Sequence, residues 1–218
     1  MEPGGAETVA SGAAAQLYQS IAAAAAEYGL LARGGVGNIV LIGTAGSAFW
    51  PFFQAARRDE PDPLDNWSRR VVGALAERFG ARPLLPQDGP PFLPFQRWAM
   101  AAEPVFPSPM GVLVHPQYGL WHSYRGALEF AVPVPLPPRA EAANPCETCA
   151  DKPCIAGCPV GAAVPYDVPR CKGHLAAEGE CRRIGCLSRH ACPLGRDYAY
   201  VPEQATFHME AFLTARWC

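Results

Sequence analysis

The stretch NPCETCADKPCIAGCPVGA, residues 144–162, places four cysteines within thirteen positions and follows the last of them with proline. The same Cys-Pro pair returns at Cys192-Pro193, thirty-four residues after Cys158. Eight of the nine cysteines lie between Cys146 and Cys192, and residues 1–145 contain none. Thiolates spaced this closely along a chain are typical of metal sites. The stretch therefore predicts a metal centre in the carboxy-terminal third.

Composition limits the class of protein. The 218 residues are 50% hydrophobic and carry a net charge of -2, which argues against a nucleic-acid partner. The start MEPGGAETVA lacks the features of a secretion signal, and the alanine run at 21–26 is too short and too weakly apolar to cross a membrane. We therefore expect a cytoplasmic protein with no membrane partner, in which the thiols are reduced rather than joined in disulfides.

The cysteine distribution predicts two domains. Residues 1–140 form a cysteine-free α+β module for a cofactor or substrate, and residues 141–218 form a metal-binding domain with a closing carboxy-terminal helix. The proline-rich segment 132–145 is the expected connector. Cys218 lies beyond both cysteine groups and is expected to be a free thiol.

Helical and strand patterns alternate in the first module. Apolar spacing predicts an opening helix that ends at Gly34-Gly35 and a second helix over 61–80, capped by Asp62. The apolar run 38–43 predicts a buried strand. Its glycines precede the strand rather than follow it, so turn glycines explain GGVGNIVLIG better than a dinucleotide site does.

The cysteine spacing resembles that of bacterial ferredoxins, in which three close cysteines bind one [4Fe-4S] cluster and the fourth, before proline, binds the other. By this resemblance each Cys-Pro thiol joins the other group. The first expected ligand set is Cys146, Cys149, Cys154 and Cys192. The second expected ligand set is Cys158, Cys171, Cys181 and Cys186.

Two alternatives stay open. The first loop has four residues where ferredoxins usually have two, a form similar to the iron-sulfur regions of dihydropyrimidine dehydrogenase and the glutamate synthase small subunit. The second loop is less regular, so a single surviving cluster is one alternative. Two zinc sites of four cysteines each would also use eight thiolates. Zinc sites, however, do not require that each group of cysteines end in a Cys-Pro pair.

Positive charge is frequent around these cysteines. Residues 146–196 contain seven lysines or arginines against five acids. Such cations favour the reduced, more negative form of a cluster and raise its potential, although a solvated basic face explains any one of them equally well. The seven cations are Lys152, Arg170, Lys172, Arg182, Arg183, Arg189 and Arg196.

The segment HPQYGLWHSYR, residues 115–125, gathers aromatic and polar side chains of the kind that border flat organic ligands. Its pattern HPxYGxWxxxRGA is similar to a stretch in cblC-type B12-processing (cyanocobalamin reductase) proteins, which hold cobalamin in a flavin-nitroreductase-like fold. By this resemblance Arg125 meets an anionic group of a cosubstrate. The residues expected to border the ligand are His115, Pro116, Tyr118, Gly119, Trp121 and Arg125.

The order of parts also resembles that of epoxyqueuosine reductase and the reductive dehalogenases, and RCKGHL at 170–175 resembles the lone-cysteine segment of the former. The resemblance implies a nitroreductase-like sheet module followed by a small two-cluster ferredoxin-like domain. It implies an iron-sulfur reductase that takes electrons from a redox partner and passes them to cobalamin or a substrate. The alternatives are a corrinoid-delivery protein without turnover, a plain electron carrier, and aromatic residues that serve only as core and turn.

Overall fold

The computed structural model of the chain describes residues 6–215, with side chains described from residue 16 onward. Cys218 lies outside these residues. The chain forms two compact units, of which the first comprises residues up to 44, 48–104 and 123–141. The second unit comprises residues 45–47, 105–122 and those from 142 onward. Residues 105–122 therefore belong with the cysteine-rich segment although they precede the proline-rich connector.

The first unit is built on a four-stranded sheet. The strands are β1 (Leu31–Val36), β2 (Ile39–Ala45), β3 (Arg82–Leu84) and β6 (His122–Glu129). They lie in the order β1-β2-β6-β3, and the pairs β1–β2 and β3–β6 are antiparallel. The accompanying helices are α1 (Ala6–Ala26), α2 (Trp50–Ala56), α3 (Pro63–Phe79) and α4 (Phe95–Ala102). The predicted mixture of helices and strands is confirmed.

Helix α3 follows from its apolar spacing. Leu64, Trp67 and Leu75 recur at helical intervals and are buried. Gly80 ends the helix with φ 64°, and its N–H bonds back to the last turn. Asp62 occupies the N-cap position, but its φ is 47° and its side chain makes no capping bond, so the predicted cap is wrong.

The predicted end of the opening helix is also wrong. Helix α1 ends at Ala26, and the chain turns at Gly29, where φ is 66° and an added Cβ would lie 2.5 Å from the Ala48 carbonyl oxygen. Residues 31–36 instead form a strand, because they pair with the apolar β2 across a turn at Gly37. Pairing across this hairpin gives residues 31–36 a strand conformation that their own sequence does not favour.

A buried ion pair links β1 to the end of α4. Arg33 Nε donates to Glu103 Oε2 at 2.9 Å, and Arg33 Nη1 donates to the Thr44 carbonyl at 2.9 Å. The two side chains are 2% and 13% exposed. The Tyr124 hydroxyl donates to the same carboxylate, and burial raises the pKa of that phenol well above its usual range. The pair satisfies charges that would be costly to bury alone.

The second unit holds a two-stranded sheet and short helices. Strands β4 (Phe106–Pro107) and β5 (Leu113–Val114) are antiparallel. The helices are α5 (Pro145–Thr148), α6 (Pro153–Ala156), α7 (Val168–Ala176), α8 (Glu180–Ile184), α9 (Leu187–Ala191) and α10 (Pro202–Thr214). Helix α10 packs on α8, where Arg182 Nε donates to Glu210 at 2.6 Å. Among the helices of the described residues, none is both long and apolar enough to cross a membrane.

Candidate metal centre

Four thiols border one cavity in the second unit. The cavity has a volume of about 260 Å³, and Lys152 lies in its wall. Its remaining walls are largely apolar and include four prolines, which leave few backbone N–H groups to satisfy. The thiols are those of Cys146, Cys149, Cys154 and Cys192, which are the first ligand set expected from the sequence.

Local capping explains how the first loop is shaped. Asn144 caps the short helix α5, and its side chain accepts a bond from the Cys146 N–H at 3.0 Å. Pro145 and Pro153 each occupy the first turn of a helix, where a missing N–H costs nothing. An Asn-Pro pair before a cysteine is a capping signature that sequence analysis could have used to find Asn144.

The thiols of the first set interact electrostatically. Burial raises the pKa of the Cys146 thiol, and the thiols of Cys154 and Cys192 raise it further. Burial likewise raises the pKa of Cys154, with contributions from Cys192 and Cys149. Unpaired thiolates therefore repel one another here, and a positive group among them would relieve that repulsion.

The other four cysteines influence one another in the same way. Burial, followed by the thiols of Cys186, Cys158 and Cys181, raises the pKa of Cys171 to about 11. Cys171 lies in α7, whose N-cap residue Asp167 accepts from the Arg170 N–H at 2.9 Å. Cys181 lies in α8. These four thiols are the second ligand set expected from the sequence.

Cys158 differs from the other thiols of its set. Its burial raises the pKa, but the backbone N–H groups of Val160 and Ala162 and the nearby Ser188 hydroxyl outweigh this and lower the pKa overall. The Ala162 N–H lies 3.1 Å from the sulfur. The sulfur is thus already placed among donors that favour its ionised form.

The described side chains are not drawn together around a single ion. Among the described residues, no group of three or more His, Cys, Asp or Glu side chains is arranged to hold a metal ion. The eight described cysteines are all free of disulfide bonds. A zinc ion would draw four sulfurs to about 2.3 Å from its centre, and hence to about 3.8 Å from one another.

The expected ligand-bordering segment forms a tight turn in the same unit. His115 and Gly119 exchange backbone hydrogen bonds at 2.9 and 2.8 Å. Inside the turn, His115 Nδ1 accepts from the Gln117 N–H at 3.0 Å, and the His115 and Tyr118 rings stack at 4.3 Å. The acceptor role of Nδ1 leaves the ring proton on Nε2 in the neutral form.

Two glycines let this turn contact the loop after Cys192. Gly119 has φ 58°, and an added Cβ would lie 2.2 Å from the Leu194 carbonyl oxygen. Gly195 has φ 66°, and its added Cβ would lie 2.2 Å from the Tyr118 carbonyl. Backbones approach this closely only where neither residue has a side chain. Sequence analysis did not single out Gly195, and no local motif marks it.

Replacing Gly119 with alanine is therefore expected to destabilise the protein by about 2–4 kcal/mol, since strain at positive φ adds to overpacking. The matched control is Gly111→Ala, because Gly111 also has a positive φ (75°) but meets no atom within 4 Å. The control variant is expected to lose only the stability due to backbone strain, about 1–2 kcal/mol. Urea unfolding compares the two variants, and equal losses would show that the close approach to Leu194 is unimportant.

Trp121 and Arg189 bind the turn to helix α9. Trp121 is 2% exposed, and the Arg189 guanidinium carbon lies 4.7 Å from its ring centre and 4.7 Å from that of Tyr200. Arg189 also donates to the Leu120 carbonyl. A guanidinium between two aromatic faces is a stable cation–π arrangement.

Arg125 belongs to a different unit from the other expected ligand-bordering residues. It belongs to the first unit, where its Nη1 lies 3.9 Å from Asp65 Oδ1. His115, Pro116, Tyr118, Gly119 and Trp121 belong to the second unit. Their contacts are those of a packed turn, and a corrinoid role for them stays a prediction.

No protein-family model matches the chain, and no curated protein is significantly similar to it.

Proposed function

We propose that this protein transfers electrons through two [4Fe-4S] clusters carried by its second unit. The observation that carries the proposal is the sorting of eight free cysteines into two groups of four. Each Cys-Pro thiol lies with the cysteines of the other stretch: Cys192 borders the cavity of the first, and Cys158 interacts with Cys171. Crossed grouping of this kind is characteristic of ferredoxins with two clusters.

The cavity can accommodate a polynuclear group. Four thiols border its volume of about 260 Å³. Eight free thiols also fit a reducing compartment, so we propose a cytoplasmic location.

The chain's own residues would hold each cluster and keep water from it. A bound [4Fe-4S] cluster supplies one-electron transfer at a potential that its surroundings adjust. Cys192, Val114 and Leu120 form one buried apolar cluster. The partly buried Cys146 packs against this cluster. The close contact of Gly119 with Leu194 fixes the segment that presents Cys192.

Iron and sulfide analysis tests the proposal. The full chain, purified without oxygen, is expected to contain about eight irons and about eight sulfides, and to lose visible absorption on reduction. A colourless protein with about two zinc ions would contradict the proposal and support two structural zinc sites.

Cobalamin is our proposed acceptor, because the turn similar to that of the B12-processing proteins packs on the loop that follows Cys192. Adding hydroxocobalamin to the iron-loaded protein is expected to give a base-off spectrum. Absence of any spectral change at micromolar cofactor would remove cobalamin and leave a plain electron carrier. Steady turnover with a chemical reductant would distinguish a reductase from a delivery protein.

A further inference from the structure

The two groups of thiols are surrounded by different kinds of polar group. Lys152 lines the cavity of the first group, and its ammonium donates to the carbonyls of Cys146 at 2.7 Å and Cys149 at 3.1 Å. These two bonds hold a full positive charge beside the thiols of that group. The lysine backbone has φ 39°, in the left-handed region that residues with a side chain rarely adopt.

Other cations of the cysteine-rich segment are engaged elsewhere. Arg182 pairs with Glu210, and Arg189 lies between the rings of Trp121 and Tyr200. Lys172 donates to the Ala215 carbonyl. Lys152 is therefore the cation that the described contacts tie directly to ligand residues of the first group.

The second group meets neutral donors instead. The Ala162 N–H donates to the Cys158 sulfur at 3.1 Å. Ser188 is 1% exposed, and its hydroxyl has no hydrogen-bond partner among the described residues. Helix α9, which carries Ser188, packs on α6 immediately before Cys158. A buried hydroxyl without a partner needs an explanation, and a hydrogen bond to the nearby Cys158 sulfur of a bound cluster would provide one.

Both kinds of group favour a reduced cluster, but by different physics. Reduction adds a negative charge, which a fixed ammonium stabilises through Coulomb attraction in a site of low dielectric constant. A hydroxyl hydrogen bond to a ligand sulfur stabilises the same added charge without contributing a net charge of its own. Removing either group makes reduction harder, and hence lowers the potential of the cluster beside it.

We propose that Lys152 sets the reduction potential of the cluster in the first group through its charge, and that Ser188 independently sets that of the second through a hydrogen bond to Cys158. This inference rests on the proposed function. Each residue adjusts one cluster and leaves the other unchanged, so the chain holds two electron sites whose potentials are separately determined.

The test is a potentiometric titration of the oxygen-protected full chain, followed by electron paramagnetic resonance. Lys152→Gly and Lys152→Gln are expected to lower one potential, with about a tenfold change in the oxidised-to-reduced ratio at fixed potential, or about 59 mV for a one-electron couple. Lys152→Gly also relieves the positive-φ strain, so the fold is expected to persist. Lys152→Arg keeps the charge and is expected to keep the potential.

Ser188→Ala is expected to lower the potential of the second-group cluster. The Cys192→Ala protein is expected to lose the resonance signal of the first-group cluster, which identifies that signal. Arg69→Gln serves as the matched charge control, since Arg69 pairs with Asp88 at the surface of the first unit. Unchanged potentials, or equal shifts of both clusters in one variant, would overturn this inference while leaving the proposed function standing. A wild-type protein without iron or sulfide would overturn both.

Discussion

Cys192→Ala is expected to reduce the iron content from about eight to about four atoms per chain, because one cluster loses a ligand and the other keeps all four. Cys192 lies thirty-four residues after Cys158, yet it borders the same cavity as Cys146, Cys149 and Cys154. The lost cluster is therefore expected to be the one held by these three cysteines. Iron and sulfide analysis of the oxygen-protected protein measures the loss.

Two further variants make the result specific. Cys158→Ala is expected to remove the other cluster, so the spectra of the two variants differ and together account for the wild-type spectrum. Cys218→Ala is expected to keep about eight irons, because Cys218 lies beyond both cysteine groups in sequence. If Cys192→Ala and Cys158→Ala removed the same cluster, the crossed arrangement of ligands would be wrong.

Arg33→Met is expected to lower the free energy of unfolding by about 3–5 kcal/mol, because it leaves the Glu103 carboxylate buried without its cation. The guanidinium makes two bonds to that carboxylate and a third to the Thr44 carbonyl, and its side chain is 2% exposed. Urea unfolding followed by tryptophan fluorescence measures the change, since Trp67 is buried in the same unit.

The matched control is Arg78→Met, since Arg78 pairs with Glu27 at the surface and both side chains are more than half exposed, at 54% and 55%. Its expected effect is below about 1 kcal/mol. The double variant Arg33→Met with Glu103→Leu is expected to recover most of the stability, because neither charge then remains buried. A double variant less stable than the Arg33→Met protein would show that the pair stabilises beyond mutual charge compensation.

Local elements with strong periodicity were predictable. Helix α3 and strand β2 lie where apolar spacing placed them. Strand β1 was missed because ARGG carries no strand pattern of its own and gains its structure from pairing with β2. The closing helix was expected over 201–218, and the described part of it spans Pro202–Thr214.

The cysteine ligands of the candidate site were predictable from the sequence, but the residues that position them were not. Cysteine type and spacing are local properties that mark metal ligands wherever the chain folds. Asn144 as a cap, Ser188 as a buried hydroxyl and Gly195 as a contact for Gly119 depend on segments that meet only after folding. Sequence also offered seven cations near the cysteines, and only the contacts distinguish Lys152 among them.

The amino-acid sequence by itself determined the positions of the thiols, the main apolar helix and strand, and the separation of cysteine-free from cysteine-rich chain. Tertiary structure alone decided that residues 105–122 join the cysteine-rich unit, and that Arg33 is buried against Glu103. The physical reason is sequence separation, because periodicity and ligand spacing are relations between residues that are close in the chain. Burial and backbone contact arise between distant segments, whose meeting depends on how the whole chain packs.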